Sequence, residues 1–178
     1  VDLGLATEWF INLLDALKKL HSSDPTGERV FVHRDIKPEN LVLENQQRGI
    51  VLVDFGIASS SDNEIAGGTG RYRSVDYGVT ESVPAMDLFS LAVVFHEIVT
   101  GEHPFGDKPN CYGEPTINQD LPNPVKDWLE KALSSEPEKR FTNAEEMSSH
   151  LNKATSREDV PSKESEPAET TATTSQRD

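Results

Sequence analysis

Cysteine is nearly absent: Cys111 is the only one among 178 residues. An intrachain disulfide is therefore excluded, and so is a zinc site built on cysteine. Such usage fits a reducing, cytoplasmic setting. Long hydrophobic runs are missing too; none approaches the ~18 residues of a membrane span. The N-terminus lacks the basic-then-apolar order of a secretory signal. It begins with Val1 rather than Met, as expected of a piece of a longer polypeptide. Basic residues are few. Seventeen Lys and Arg against 31 Asp and Glu give a formal net charge of −14. That balance argues against a nucleic-acid partner and against attraction to anionic membranes. No internal repeat is visible.

What the chain does contain is helix periodicity. Leu5, Ala6, Trp9, Phe10, Leu13, Leu14, Leu17 and Leu20 recur on one face, predicting an amphipathic helix over 5–21 with Thr7 as N-cap. A turn cluster at 22–28 leads to two short strand candidates, 30–32 and 41–43. GIVLVDFG, 49–56, reads as a further strand stopped by Gly56, and 58–70 is small, polar and loop-forming. DLFSLAVVFHEIVTG, 87–101, is apolar nearly all round, which predicts a buried central helix ended by Gly101. NPVKDWLEKAL, 123–133, predicts a helix with Asn123 as N-cap and Pro124 at its first position. TNAEEMSSHL, 142–151, opens with the Thr142/Glu145 spacing of a capping box. Residues 153–178 hold almost no large apolar groups, so burial cannot offset their ordering entropy. They are expected to form a disordered, acidic, Ser/Thr-rich tail. The fold expected is one mainly α domain over residues 1–152.

The stretch FVHRDIKPENLVL, 31–43, sets His33, Arg34, Asp35, Lys37 and Asn40 between apolar walls, and Asp54 follows fourteen residues after Asn40. Phosphoryl transfer gives such groups distinct tasks. A carboxylate beside a hydroxyl orients it and accepts its proton. An ammonium neutralises charge on the moving group. An amide oxygen and a second carboxylate are hard ligands for Mg²⁺.

HRDIKPEN resembles the catalytic loop of protein kinases at His33, Arg34, Asp35, Lys37, Pro38, Glu39 and Asn40, and DFG, 54–56, resembles their magnesium motif. Either tripeptide alone is a weak signal; together, in this order and at this spacing, they are specific. Lys37, two residues after Asp35, resembles the serine/threonine branch. The resemblance implies a protein-kinase-like C-terminal lobe, helical, with short β-strands carrying the catalytic loop and DFG. It implies ATP and Mg²⁺ as cofactors and a protein substrate. Asp35 would be the catalytic base and Lys37 a phosphate contact. Asn40 and Asp54 would be metal ligands, Val42 would lie under the adenine, and His33 would stack beneath Phe55, which Gly56 follows in the motif. GTGRYRSVD, 68–76, resembles the end of an activation segment. Gly68, Thr69 and Tyr72 are in place, whereas Ser74, Val75 and Asp76 depart from Ala-Pro-Glu. Thr69 would contact Asp35 and face the acceptor hydroxyl. Asp76, one methylene shorter than Glu, would pair with Arg140. DLFSLA resembles the opening of the central helix, with Phe89 and Ala92 as departures, and implies that Asp87 braces the catalytic loop.

Plainer readings stand beside these. His33 is better read as a packed core residue than as a base, and His96 and His103 as packing or surface groups. Trp9 and Trp128 sit on apolar faces and read as core. Arg34 has two readings: receiver of a phosphate from Ser59, Ser60, Ser61 or Thr69, or member of a structural ion pair.

A kinase holds ATP between two lobes, the upper one bringing a glycine-rich loop and a strand lysine. Only 34 residues precede Asp35 here, with no G-x-G-x-x-G and no V-A-x-K. GGTG, 67–70, lies in the activation segment and is not a phosphate loop. The resemblance thus implies a lower lobe that needs an upstream or separate N-terminal lobe, and that is inactive without it. Two classes of function stay open: the catalytic lobe of a serine/threonine kinase, and a non-catalytic binding module on the same scaffold. Phosphotransfer to a small molecule is a weaker third. A scaffold gains little from keeping Asp35, Lys37, Asn40 and Asp54 together, which favours the kinase.

Overall fold

The computed structural model describes residues 1–22, 30–44, 49–54, 70–74 and 84–156. Helix α1 runs Leu3–His21, and Ala6, Trp9, Phe10, Leu13, Leu14 and Leu17 form its buried stripe. Its N-cap is Asp2, not Thr7. The Asp2 carboxylate accepts from the amides of Gly4 (2.9 Å) and Leu5 (3.2 Å), while the Thr7 hydroxyl lies a turn inside and donates to the Leu3 carbonyl (2.7 Å). An acid at this end also meets the positive pole of the helix dipole.

Helix α2, Pro84–Thr100, is the central element, buried continuously from Met86 to His96. A helix apolar on every side has to be covered on every side. Gly101 ends it at φ 78°, where no neighbour would obstruct a side chain, so conformation alone requires glycine. Helix α3 runs Asn123–Ala132 and α4 runs Ala144–Thr155. Both caps fall one residue from the expected position. Pro122 caps α3, and Asn143 caps α4. The Asn143 side chain accepts from the Glu146 amide (2.8 Å), and the Glu146 carboxylate reaches back to the Thr142 amide (3.2 Å). The reciprocal box therefore uses Asn143 and Glu146 in place of Thr142 and Glu145; asparagine is the stronger cap.

Aromatic rings tie the helices into one core. Phe10 of α1 meets Phe95 of α2 edge-on at 5.0 Å, and Phe95 meets Trp128 of α3 at 5.2 Å. Trp128 packs on Phe141 at 6.0 Å and donates its indole N–H to the Met147 carbonyl of α4 (3.1 Å). Two short strands, β1 (Leu41–Glu44) and β2 (Gly49–Leu52), form an antiparallel hairpin with Leu41 opposite Leu52 and Val42 opposite Val51. Residues 30–32 are not a strand. Among the described residues the sheet is complete with β1 and β2, so 30–32 pairs with no edge there, and Val32 instead buries its side chain in the core. Helix α4 runs three residues past 152, and positions 157–178 lie outside the described residues. Among the described residues, no helix is long and apolar enough to cross a membrane.

Candidate active site

Val32 and Ile36, each 2 % exposed, bracket the loop that carries His33, Arg34, Asp35 and Lys37, and Ile36 packs into the helical core. From below, α2 holds its backbone. Asp87 is buried and accepts the His33 amide on one oxygen (2.7 Å) and the Arg34 amide on the other (2.8 Å). His21, the last residue of α1, bonds the same carboxylate through Nε2 (2.9 Å). A buried carboxylate is tolerated only with such partners. Arg34 (φ 69°) and Asp54 (φ 64°) are the non-glycine residues at positive φ among those described, and they flank the candidate site. Left-handed backbone of this kind is strained and persists only where surrounding contacts enforce it.

Asp35 lies at the centre. Lys37 Nζ sits 2.7 Å from its Oδ2, and Asn40 Nδ2 donates to the same oxygen (3.0 Å) and to the Asp35 carbonyl (2.7 Å). Both acceptors are oxygens, so the amide nitrogen faces them and Asn40 Oδ1 is turned away. Asp35 Oδ1 has no hydrogen-bond partner among the described residues. One carboxylate oxygen is thus held and the other left to accept. The Asn40 carbonyl receives the Val53 amide (2.9 Å), extending the β1–β2 ladder by one pair. Asp54 follows directly, so the hairpin brings Asn40 and Asp54 to the same end. Asn40 is buried and Asp54 exposed.

An amide oxygen and a carboxylate are hard donors that suit Mg²⁺. Among the described residues, no group of three or more His, Cys, Asp or Glu is placed to hold a metal. A cation here would draw its remaining ligands from phosphate oxygens and water, as Mg²⁺ ordinarily does.

A model of the protein kinase domain matches residues 2–151. The chain belongs to the protein kinase family. It is 32% identical to a probable serine/threonine-protein kinase of Clostridium perfringens over 80% of its own length and 22% of the relative's. It is 34% identical to the serine/threonine-protein kinase PknB of Mycobacterium leprae, over 77% and 24%. With a putative mitogen-activated protein kinase kinase kinase 7-like protein of Drosophila melanogaster it shares 30%, over 76% and 38%. The chain therefore spans 22% to 38% of these relatives. Its fold is similar to that of the Cydia pomonella granulovirus kinase PK-1, with TM-score 0.70 and 23% identity, over 83% of this chain and 58% of that one.

The remaining expected positions of this kinase chain divide into two groups. Val42 is 48% exposed, beside Val51 at 37%. His33 is fully buried, and its Nδ1 accepts the Asp35 amide in a long contact of 3.4 Å. Arg140 is buried, donates Nε–H to the Ser134 carbonyl (2.7 Å) and stacks its guanidinium over Phe89 at 4.7 Å. Phe55, Gly56, Thr69 and Asp76 lie outside the described residues, as do Ser59, Ser60 and Ser61. So do the contacts expected of them with His33, Asp35, Arg34 and Arg140.

Three residues escaped the sequence reading. His21 follows Lys18 and Lys19 in the last turn of α1, and nothing there marks its bond to Asp87, 66 residues away. Arg73 donates Nη2–H to the Arg34 carbonyl (3.2 Å) across 39 residues of sequence. Glu97 accepts the Tyr72 hydroxyl (2.8 Å); burial first, then this carboxylate, raises the phenol far above its ordinary range. Nothing local announces contacts of that span.

Proposed function

We propose that the chain is the lower, catalytic lobe of a serine/threonine protein kinase, moving the γ-phosphoryl group of ATP to a protein hydroxyl in the cytoplasm. The observation that carries the reading is the asymmetric hold on Asp35: Oδ2 engaged by Lys37 and Asn40, Oδ1 without a partner among the described residues. Oδ1 accepts the proton of the acceptor hydroxyl as its oxygen bonds to the γ-phosphorus and the bond to the β-phosphate oxygen breaks, releasing ADP. Lys37 lies within reach of Asp35 and neutralises charge on the transferring oxygens. Asn40 and Asp54 would hold Mg²⁺, and the cation would offset phosphate charge. Val42 offers an apolar floor for the adenine. Position and electrostatics supply the acceleration.

ATP needs a roof as well as a floor. With the hairpin face exposed, water screens the charges that act on phosphate. The 178-residue polypeptide alone is therefore inactive, and an upper lobe, joined upstream or supplied separately, completes the site. A second reading, a non-catalytic binding module, draws on the same Lys37–Asp35 pair, which could be simply structural. Transfer from Mg-ATP to a generic protein acceptor is measured for the chain alone and for the chain joined to a kinase upper lobe. The joined protein transfers phosphate, and Asp35→Asn lowers its rate at least about a hundredfold. No transfer by a folded, nucleotide-binding joined protein supports the binding module instead. Robust transfer by the chain alone overturns the need for a second lobe.

A further inference from the structure

The short helical turn Gly70–Tyr72 stands between two anchors. Next to it, Arg73 holds the Arg34 carbonyl, one peptide from Asp35. On the other side the Arg71 carbonyl accepts two bonds from far along the chain, from His103 Nε2 (2.9 Å) and from the Cys111 thiol (2.9 Å). Cys111 also forms an isolated parallel bridge with Ser74. Both side chains are buried, and the Tyr72 ring packs against the His103 ring at 5.4 Å.

We propose that His103, with Cys111, is a positioning residue that keeps residues 70–73 beside Asp35 through the carbonyl of Arg71, and that protonation of His103 loosens this hold. That the turn serves the acceptor rests on the kinase reading; the hold itself does not.

The geometry fixes the tautomer. Nε2 faces a carbonyl and must carry the hydrogen, so Nδ1 is the acceptor, and the Phe105 amide donates to it (3.2 Å). A second proton on Nδ1 would set two N–H groups against each other and push the ring away from its place. The charged and titratable groups around His103 are Arg71 and Tyr72 of the turn, His96 and Glu97 of α2, and Glu102 and Asp107 of its own loop. Burial, then the Arg71 cation, holds the imidazole below its ordinary range, with Glu97 pulling the other way. The ring is neutral when the hold is tight, and acid loosens it.

As the sole cysteine, Cys111 reports on the hold directly. Burial pushes its thiol up to about 12, so the seated side chain reacts slowly. Maleimide labelling of the 178-residue chain, normalised at each pH to the urea-unfolded chain, is measured at about pH 8 and about pH 5.5, either side of the ordinary imidazole value. Wild type is protected at the higher pH and labels about tenfold faster, relative to the unfolded chain, at the lower, the size expected for losing one hydrogen bond. His103→Leu labels at the fast rate at both. His103→Gln keeps an N–H for the Arg71 carbonyl but cannot titrate, so it stays slow at both. A pH step that survives in His103→Gln overturns the proposal. So does wild-type protection of His103→Leu in a chain that circular dichroism shows to be folded. Should His103→Leu not fold, the His103→Gln comparison decides alone. The phosphate-transfer assay is separate, so the kinase reading can fail while the hold stands, and the reverse.

Discussion

Phe95 and Val42 are both apolar, yet one is wholly enclosed and the other is half exposed. Phe95 belongs to the helical side, where rings from α1, α2 and α3 interlock. Val42 belongs to the hairpin side, where Asp35, Lys37, Asn40 and Asp54 are arranged by polar bonds and the upper face of β1 and β2 is bare. Packing dominates the first region and polar bonding the second. The two regions meet at Asp87, an acid embedded in the dry helix that holds the polar loop by its backbone. A rigid, dry base lets these polar groups be held without surrounding themselves with packing, which leaves the hairpin face exposed.

Cutting each region tests this division. Phe95→Ala should destabilise most, by about 3–5 kcal/mol, because the ring is the hub between Phe10 and Trp128 and its loss leaves a cavity. Asp87→Ala should follow at about 3 kcal/mol, since two backbone amides and His21 lose one shared acceptor. Both are read from urea unfolding midpoints. If Asp87→Ala leaves the midpoint unchanged, the loop is not held from α2.

Acid should act on the helical side. His96 donates Nδ1–H to the Glu102 carbonyl (2.8 Å) and accepts the Asn118 amide on Nε2 (3.2 Å), so it is neutral and fully engaged. Burial is the largest influence on it and lowers its pKa. The unfolded chain then takes up its proton first, near the ordinary value of about 6.5. This contribution is therefore complete above that pH and is lost as pH falls toward the lower folded value. The urea midpoint should drop on acidification, and His96→Gln should drop less. An equal drop in both removes His96 from the account.

The helical region was the more legible in sequence, and the reason is physical. The stripe of α1 and the all-round apolarity of α2 are repeated signals, many residues reporting one helix. Caps are single-residue decisions, and three of them moved: Asp2 for Thr7, Pro122 for Asn123, Asn143 for Thr142. Residues 30–32 carried strand-forming side chains, but a strand also needs an edge, which composition cannot supply. In the candidate site, Asp35, Lys37 and Asn40 were legible because they lie within six residues and one loop brings them together. His21, Arg73 and Glu97 were not, because each acts across a distance that only the packed helices create. The bond from Cys111 to Arg71 spans 40 residues and has no sequence pattern at all.

The smallest stability effect is expected where the comparison is sharpest. Val42→Ser should shift the urea midpoint by no more than about 0.5 kcal/mol, because the side chain is half in water already. The same change should matter once the face is covered. In the chain joined to an upper lobe, ATP affinity measured by titration calorimetry should fall about threefold to tenfold, as an apolar contact with the base is lost. Val51→Ser, at the cross-strand position, sharpens this further. If both residues serve only as a lobe interface, the two substitutions weaken nucleotide binding alike. If Val42 alone lies against the base, Val42→Ser has the larger effect. A marked loss of stability from Val42→Ser in the chain alone would mean that the hairpin face is already packed, and the division between a dry base and an open chemical face would fail.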